Sequence, residues 1–463
     1  MNKFITGFRS IYTFYNDKEY FSKIFHIAIP ITLQNLVFSS LNMASIIIIG
    51  QKGDTAVAAV GLAGQVYFLL NLVLFGLSSG TGIFTAQLWG KKDIVNIRKV
   101  LSLTLRLSLS MSLLFFIASQ FFPEAILSIY STDRNVISVG AEYLRIFSWG
   151  YFFFAITFAY VFVLRSTGNV RLPVAASVIS LFVNAFFTYT LVFGKFGLPE
   201  IGVNGAAIAN VIARFLECAI LLFGVYLLNY SPAAATLTDL LQFDFIFAWK
   251  IIKPVIPVAL NEIFWSFGIT TYNIIFARMG TESIAAINIY MTIDNMAFIF
   301  FIGLGSATAI LVGNKIGAKD EKSAFEYAGR SIGLAVFVGI FIGLLLLVLR
   351  MPLISLFNVS PNVIRNTYNI MSIAGLAIWM RAANMVVIIG ALRSGGDTMY
   401  SLILDGLVIW LVGVPLTAIG AFYLYLPIQY VYLLIYSEEL TKFIFGLRRY
   451  FSKKWINNLA NEV

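Results

Sequence analysis

The segment GLSSGTGIFTAQLWG at residues 76–90 returns as GLGSATAILVGNKIG at residues 303–317, with glycines, a serine and a threonine in register. The same offset of 227 residues (303 − 76) carries residues 30–93 onto residues 257–320 without a gap. A repeat of this length indicates that one structural unit occurs twice in the chain. Many membrane carriers are built from such repeats, so we expect two lobes of similar structure.

The composition places the chain in a lipid bilayer. Hydrophobic residues make up 59% of the chain and charged residues 12%, with a mean hydropathy of +0.87, whereas globular proteins average roughly 25% charged residues. Apolar stretches in lipid must be helical, because their backbone polar groups have no other partner. We predict an all-α integral membrane protein with twelve transmembrane helices in two pseudo-symmetric six-helix bundles, related as parallel repeats. The predicted spans cover residues 24–49, 56–83, 100–122, 139–163, 173–194 and 203–228, then 254–277, 284–312, 326–349, 368–392, 400–423 and 424–446.

These spans divide the chain into five segments. Each half has an even number of spans, so both halves should insert in the same orientation. The first 23 residues lack the apolar core of a cleaved signal peptide. The predicted segments are an interfacial or cytoplasmic N-terminal segment at 1–23, a first lobe at 24–228, a cytoplasmic linker at 229–249, a second lobe at 250–446 and a basic cytoplasmic tail at 447–463.

The distribution of basic residues predicts the orientation. With the N-terminus inside, most lysines and arginines outside the spans lie on the cytoplasmic side, as the positive-inside rule requires. The net charge of +10 therefore reflects topology and contact with anionic lipid, and it does not indicate nucleic-acid binding. We expect a monomer in the cytoplasmic (inner) membrane with both termini cytoplasmic. The basic residues on the opposite side are Lys52, Arg134, Lys195, Arg278, Arg350 and Arg365.

Few catalytic chemistries are compatible with this sequence. Cys218 is the single cysteine and His26 the single histidine, so a disulfide framework, a zinc motif and a Cys/His triad are all excluded. The chain has no phosphate-binding G-x-x-x-x-G-K-[ST] loop. We predict that it is not an enzyme and needs no cofactor, and that a gradient drives transport.

Carboxylates within the predicted spans are the sharpest functional signal, because charge at the bilayer centre is costly and is seldom carried without use. Glu217 has Arg214 three residues away, so we predict an intrahelical pair that neutralises itself. Asp405 lies near the end of its span and either reaches water or contributes to a site. Glu262 and Asp294 lie deeper and have no basic residue within one turn.

Glu262 and Asp294 are therefore the leading candidates to bind a proton or a metal cation in exchange for a cationic substrate. Polar and aromatic neighbours extend the predicted ion-coupling and substrate site. The repeat offset places Asn35 opposite Glu262, so at these matched positions the second lobe carries the acid. The predicted site residues are Glu262, Asp294, Asp405, Asn261, Asn288, Asn384 and Asn35, with Trp265, Tyr290 and Trp379 as candidate cavity aromatics for cation-π contact.

Several motifs together resemble the multidrug and toxic compound extrusion (MATE) transporters, in particular NorM-like and DinF-like members of the multidrug, oligosaccharidyl-lipid and polysaccharide exporter group. The resemblance runs almost end to end. It implies twelve helices in two bundles, alternating access, and export of amphiphilic, often cationic, small molecules against inward flow of Na⁺ or H⁺. The residues that carry it are Ile29-Pro30, Gly53, Ala58-Ala59-Val60-Gly61, Gly76-Leu77-Ser78-Ser79-Gly80, Gln87-Leu88-Trp89-Gly90, Leu164-Arg165-Ser166-Thr167-Gly168, Gly202-Val203-Asn204-Gly205-Ala206-Ala207 and Leu392-Arg393-Ser394-Gly395-Gly396-Asp397-Thr398.

The chain departs from the family pattern at two acidic positions. Glu262 occupies the place of the helix-7 glutamate of NorM-like members, but Ser45 and Ala382 stand where acids are common in the family. The nearby Asn384 can coordinate a cation but cannot take up a proton. Tight Na⁺ binding needs several oxygen ligands. We therefore favour H⁺ as the coupling ion, with a Na⁺ site at Glu262 and Asp294 as the alternative.

Two other functions fit the same composition. A flippase for a lipid-linked precursor, or an exporter of another endogenous metabolite, would share the fold, but a phosphate headgroup would favour a cavity lined by arginine and lysine. A membrane scaffold or receptor that transports nothing would leave Glu262 without a function. A flux assay distinguishes such a protein from a transporter.

Overall fold

The computed structural model describes residues 16–227, 232–242 and 244–463, and all regular secondary structure in these residues is helical. The helices of the first repeat and the linker are α1 (Lys18–Gly50), α2 (Asp54–Gly90), α3 (Ile94–Phe121), α4 (Pro123–Ser128), α5 (Arg134–Phe147), α6 (Gly150–Ser166), α7 (Arg171–Phe193), α8 (Val203–Leu227) and α9 (Leu237–Leu241). Those of the second repeat are α10 (Phe245–Arg278), α11 (Thr281–Gly317), α12 (Glu321–Ile354), α13 (Pro361–Arg393), α14 (Thr398–Tyr423) and α15 (Ile428–Phe451), followed by a short 3₁₀ turn (Leu459–Asn461).

The number of helices confirms the predicted twelve-helix fold. Nine helices of the described ranges are long and apolar enough to cross a membrane, and α5 with α6 forms one further span, bent by 51°. The two remaining long helices, α10 and α15, carry buried polar and charged side chains that lower their hydropathy. Six spans therefore come from each repeat.

The repeat is visible in the local geometry of the helix ends. α2 and α11 each have 37 residues. Their N-caps, Gly53 and Gly280, have φ angles of 97° and 115°, which glycine adopts without steric cost. Asp93 and Asp320 then cap α3 and α12 by accepting a backbone N–H at 3.2 Å. The duplicated sequence thus encodes the same turn and cap twice.

The fourth predicted span, residues 139–163, is broken and is not one straight helix. α5 ends at Phe147 and α6 begins at Gly150. The Gln120 side chain on α3 donates to the Arg145 carbonyl at 2.7 Å and to the Ser148 hydroxyl at 2.9 Å. This amide supplies hydrogen bonds at the break, where a carbonyl of α5 has lost its helical donor.

The chain forms two compact units with boundaries that differ from the predicted lobes. Unit N spans Leu33–Ile252, and unit C combines the described residues up to Thr32 with Lys253–Glu462. The start of α1, up to Thr32, belongs to unit C, although the sequence analysis divided these residues between the N-terminal segment, which ended at residue 23, and the first lobe. Tyr20 hydrogen-bonds Ser331 at 2.7 Å, and Asp17 pairs with Arg330 at 2.7 Å. The internal repeat could not predict these contacts, because they join different halves of the sequence.

The predicted linker and tail both contain helical structure. The linker at 229–249 contains α9 and the beginning of α10, while residues 228–231 and 243 lie outside the described residues. In the tail at 447–463, α15 continues to Phe451 and Trp455 is fully buried. The Asn457 N–H donates to the Gly395 carbonyl at 2.8 Å, so the tail packs on unit C. Residues 1–15 of the predicted N-terminal segment lie outside the described residues as well.

Wide helical turns are concentrated in α13 and α14 of unit C. π-helical segments cover Val386–Arg393, Leu402–Leu407, Ile409–Gly413 and Ile419–Tyr423. Such turns are rare and often mark functional regions. Here two of them include Arg393 and Asp405, which belong to the charged cluster described next.

Candidate functional site

A cluster of buried and half-buried charged side chains occupies the interior of unit C. Five carboxylates and three basic groups make up this cluster, which we call the charged cluster. Its members come from α10, α11, α13, α14 and α15, so residues far apart in sequence are brought together. The members are Glu262, Asp294, Asp405, Glu438, Glu439, Arg381, Arg393 and Lys442.

Glu262 is paired, contrary to the sequence interpretation. Its Oε1 atom lies 2.9 Å from Nη1 of Arg393, and the two residues are 9% and 1% exposed. The sequence interpretation placed Arg393 in a cytoplasmic loop, but it lies at the end of the π-helical segment of α13 and points into unit C. The absence of a basic residue within one turn of Glu262 gave no information about a partner on another helix.

Asp405 shares a buried lysine with a second carboxylate. The Lys442 Nζ atom lies 2.7 Å from Asp405 and 2.6 Å from Glu438. The Asn261 amide donates to the other oxygen of Asp405 at 2.9 Å, and the Tyr272 hydroxyl donates to Glu438 at 2.5 Å. Asp405 is therefore a member of the charged cluster, held by an ion pair and a hydrogen bond, and it is half-buried.

Asp294 belongs to another part of the cluster. Arg381 donates to Asp294 at 2.7 Å, and the Tyr290 hydroxyl donates to its other oxygen at 2.8 Å. Arg381 also lies 4.0 Å from Glu439, which accepts a hydrogen bond from the Asn384 amide at 2.7 Å. The sequence interpretation of Asp294 as lacking a basic neighbour is therefore wrong, for the same reason as for Glu262.

The remaining predicted site residues have weaker connections to the cluster. Asn288 is exposed on α11, and Asn35 is half-buried on α1 within unit N. Trp265 and Trp379 are half-buried, and the Trp379 ring packs edge-on against Phe443 with centroids 5.4 Å apart. Of the aromatic candidates, Tyr290 alone has a hydrogen bond to a cluster carboxylate in the described residues.

The geometry does not gather the two acids of the predicted Na⁺ site into one ligand set. Glu262 and Asp294 pair with different arginines. Within the residues that the structure describes, no group of three or more His, Cys, Asp or Glu side chains is placed to hold a metal ion. The cluster instead presents carboxylates that each have a basic or amide neighbour.

Three members of the cluster on α15 were missed from the sequence. Glu438 and Lys442 are spaced four residues apart, so they share a helix face, and Glu439 adjoins them. This spacing of opposite charges within a predicted span was the signal that could have identified them. Lys442 is 3% exposed, which makes it a basic group inside the unit and not a loop lysine.

Unit N holds a smaller arrangement of buried charged groups. Arg214 pairs with Glu217 at 2.8 Å, which places the two side chains as the sequence predicted. The Ser177 hydroxyl donates to Glu217 at 2.5 Å, and Arg214 donates to the Tyr67 hydroxyl at 2.9 Å. Arg165 is connected to the same carboxylate through Gln34 and Ser177. Two bases and one acid therefore meet in unit N, whereas the five acids and three bases of the charged cluster in unit C leave two negative charges (3 − 5 = −2) if all are ionised.

Comparison with known proteins agrees with this architecture. The MatE family model matches residues 30–190 and 257–419, which together exceed half of the chain. A probable multidrug resistance protein NorM of Thermotoga maritima is 24% identical, over 94% of this chain and 92% of the relative. The probable multidrug resistance protein YoeA of Bacillus subtilis is 25% identical, over 86% and 87%.

Solved structures show the same fold. An outward-facing multidrug resistance MATE family transporter superposes with a TM-score of 0.85 at 18% identity, covering 93% of this chain and 96% of the other. A transporter of Pyrococcus furiosus described as having a binding pocket of reverse polarity gives a TM-score of 0.81 at 18% identity, with the same coverage. The two matched segments of the family model coincide with the two halves of the internal repeat. This chain is therefore a member of the MatE family of multi-pass membrane transporters, and it is not an enzyme.

Proposed function

We propose that this transporter is a secondary active efflux protein that exports organic cations or amphiphilic drugs in exchange for H⁺, by alternating access. The observation that carries the proposal is the excess of carboxylates over basic groups, five against three, in the charged cluster inside unit C. Buried charge in a membrane protein is expensive and is usually retained for function. The names of the relatives, which describe multidrug resistance proteins, support the same substrate class.

The cluster offers a physical basis for exchange. When all its members are ionised, the cluster has two more negative than positive charges, and this excess attracts a cation in the low-dielectric interior. A proton taken up by one carboxylate removes part of that attraction, so proton and cationic substrate disfavour each other's binding. This coupling is reciprocal and typically amounts to about 1 to 3 kcal/mol. Glu262 is our choice for the carboxylate that carries the proton, because it is nine-tenths buried and its pair with Arg393 ties it to a π-helical segment.

The choice of H⁺ over Na⁺ rests on the ligand geometry. Tight binding of a hard cation needs several oxygens around one point, whereas protonation needs one carboxylate. Arg393, Lys442 and Arg381 already lie beside the cluster acids, and a metal ion would have to displace these groups. A proton can be accepted without such a rearrangement.

The excess of acids in the charged cluster supports cation efflux over lipid flipping. A flippase for a phosphate-bearing lipid would need an excess of basic groups at its site, and the cluster in unit C has the opposite balance. Purified protein in proteoliposomes should move a fluorescent organic cation and leave a fluorescent short-chain anionic lipid in its original leaflet. Movement of the lipid without movement of the cation would overturn the efflux proposal.

We further propose a cytoplasmic-membrane orientation with both termini cytoplasmic and a monomer as the working unit. Reporter fusions at Val463 and within residues 195–200 should then report opposite sides, because an odd number of spans separates the two points. A phosphatase reporter should be active within residues 195–200 and inactive at Val463. Activity of that reporter at both points would contradict the topology.

A further inference from the structure

The linker between the repeats is held on unit N by a row of polar side chains on α3. Arg98, Ser102 and Arg106 are spaced four residues apart, so they share one helix face. Arg98 pairs with Asp239 at 3.3 Å, and Ser102 donates to the Leu240 carbonyl at 2.8 Å. Arg106 donates to the same carbonyl at 2.7 Å. Helix α9 is thereby anchored to α3, although none of its residues is buried.

A cavity of about 320 Å³ adjoins this anchored segment. It is lined by Lys99, Ser102 and Arg106 from α3 and by Asp244 and Phe247 at the start of α10. The Lys99 amino group lies 5.5 Å from the centre of the Phe247 ring. Two basic side chains therefore line a cavity at the end of a membrane-spanning helix.

The one carboxylate in the lining is directed to its own helix. Asp244 accepts the backbone N–H groups of Ile246 at 2.9 Å and of Phe247 at 3.2 Å. A carboxylate that caps a helix N-terminus is compensated by those donors and by the helix dipole. The lining thus keeps a net positive charge, from two bases and one acid.

Exposed apolar side chains surround the same region. Leu237 and Leu241 on α9 are 73% and 69% exposed, and Phe245 and Ile246 at the start of α10 are 71% and 69% exposed. Large apolar side chains beside basic ones are typical of helices that lie in the membrane interface. Their exposure provides apolar surface next to the charged cavity.

We propose that this cavity binds the phosphate headgroup of an anionic glycerophospholipid, with acyl chains lying over the exposed apolar residues of α9 and α10. Lys99 and Arg106 contact the phosphate. Basic pockets at the membrane surface recognise anionic lipid headgroups by charge. A lipid bound there contacts both the linker and α3, so it reinforces the attachment of the linker. The proposal concerns unit N and does not depend on the transport chemistry proposed for unit C.

Lipid retention by the purified full-length protein tests this site. Native mass spectrometry should show that phosphatidylglycerol is retained in preference to phosphatidylcholine. Lys99→Gln should weaken phosphatidylglycerol binding about fivefold, as expected for one basic contact near the membrane surface. Lys322→Gln removes the same charge from an exposed position on α12 and should leave binding unchanged. Thermal unfolding of both variants should match that of the unaltered protein.

Three results would overturn the proposal. Equal retention of phosphatidylglycerol by Lys99→Gln and the unaltered protein would exclude the cavity as the site. Equal losses in Lys99→Gln and Lys322→Gln would indicate a general charge effect. Displacement of the lipid by millimolar inorganic phosphate would indicate a site for free anions and not for a lipid.

Discussion

Lys442→Met is expected to destabilise the protein by about 3 to 5 kcal/mol, the typical result of removing one partner from a buried ion pair. Lys442 is 3% exposed and contacts both Asp405 and Glu438. When the ammonium group of Lys442 is removed, the carboxylates of Asp405 and Glu438 repel each other in an apolar interior. The loss should appear as a lower midpoint of unfolding in detergent, measured by intrinsic fluorescence.

Two further variants separate this electrostatic effect from a packing effect. Lys322→Met makes the same substitution at an exposed position on α12, and its midpoint should stay close to that of the unaltered protein. Combining Lys442→Met with Asp405→Asn and Glu438→Gln removes the uncompensated charges and should recover most of the lost stability. Recovery is expected because replacing both partners of a buried ion pair by neutral groups costs little folding stability. A Lys442→Met protein as stable as the unaltered one would show that Lys442 does not neutralise these acids.

Glu262→Gln is expected to reduce export by about 5- to 150-fold, the range that corresponds to loss of a coupling energy of 1 to 3 kcal/mol. Glutamine keeps the shape of glutamate and can still accept a hydrogen bond from Arg393, but it cannot exchange a proton. Because Glu262 pairs with Arg393, the variant would leave the arginine without its charged partner, and we expect a loss of stability beside the loss of export.

Unit N provides a matched control for this variant. Glu217 is also buried and also paired with an arginine, Arg214. Glu217→Gln should therefore show a comparable change in stability but should keep export. Dye export from proteoliposomes and the unfolding midpoint, measured for both variants, distinguish coupling from folding. Equal export by Glu262→Gln and the unaltered protein would move the coupling role to Asp294 or Asp405.

The fold could be predicted from the sequence because it depends on local patterns. Lipid allows only hydrogen-bonded backbone, so apolar stretches of sufficient length become helices. The duplicated turn at Gly53 and Gly280 and the caps at Asp93 and Asp320 lie within the repeat and reappear in both halves. Contacts between distant parts of the chain could not be predicted in this way. Asp17 and Tyr20, at the start of α1, contact Arg330 and Ser331 of unit C, which lie far along the chain.

The candidate site could be predicted only in part. The intramembrane carboxylates Glu262, Asp294 and Asp405 were identified by type and depth, and each lies in the charged cluster. Their basic partners were not identified, because Glu262 and Arg393 are separated by 131 residues and periodicity along one helix does not show contacts between helices. Glu438 and Lys442 were within reach of sequence reasoning through their four-residue spacing.

The most direct test of the account is a transport measurement with the driving ion controlled. Purified protein is reconstituted into proteoliposomes prepared without Na⁺, and a pH gradient is imposed across the membrane. A fluorescent organic cation should then move against the direction of proton flow in the unaltered protein and in Glu217→Gln, and its movement should be strongly reduced in Glu262→Gln. Transport that appears only with a Na⁺ gradient, and is indifferent to the pH gradient, would contradict proton coupling and would require a sodium site in unit C.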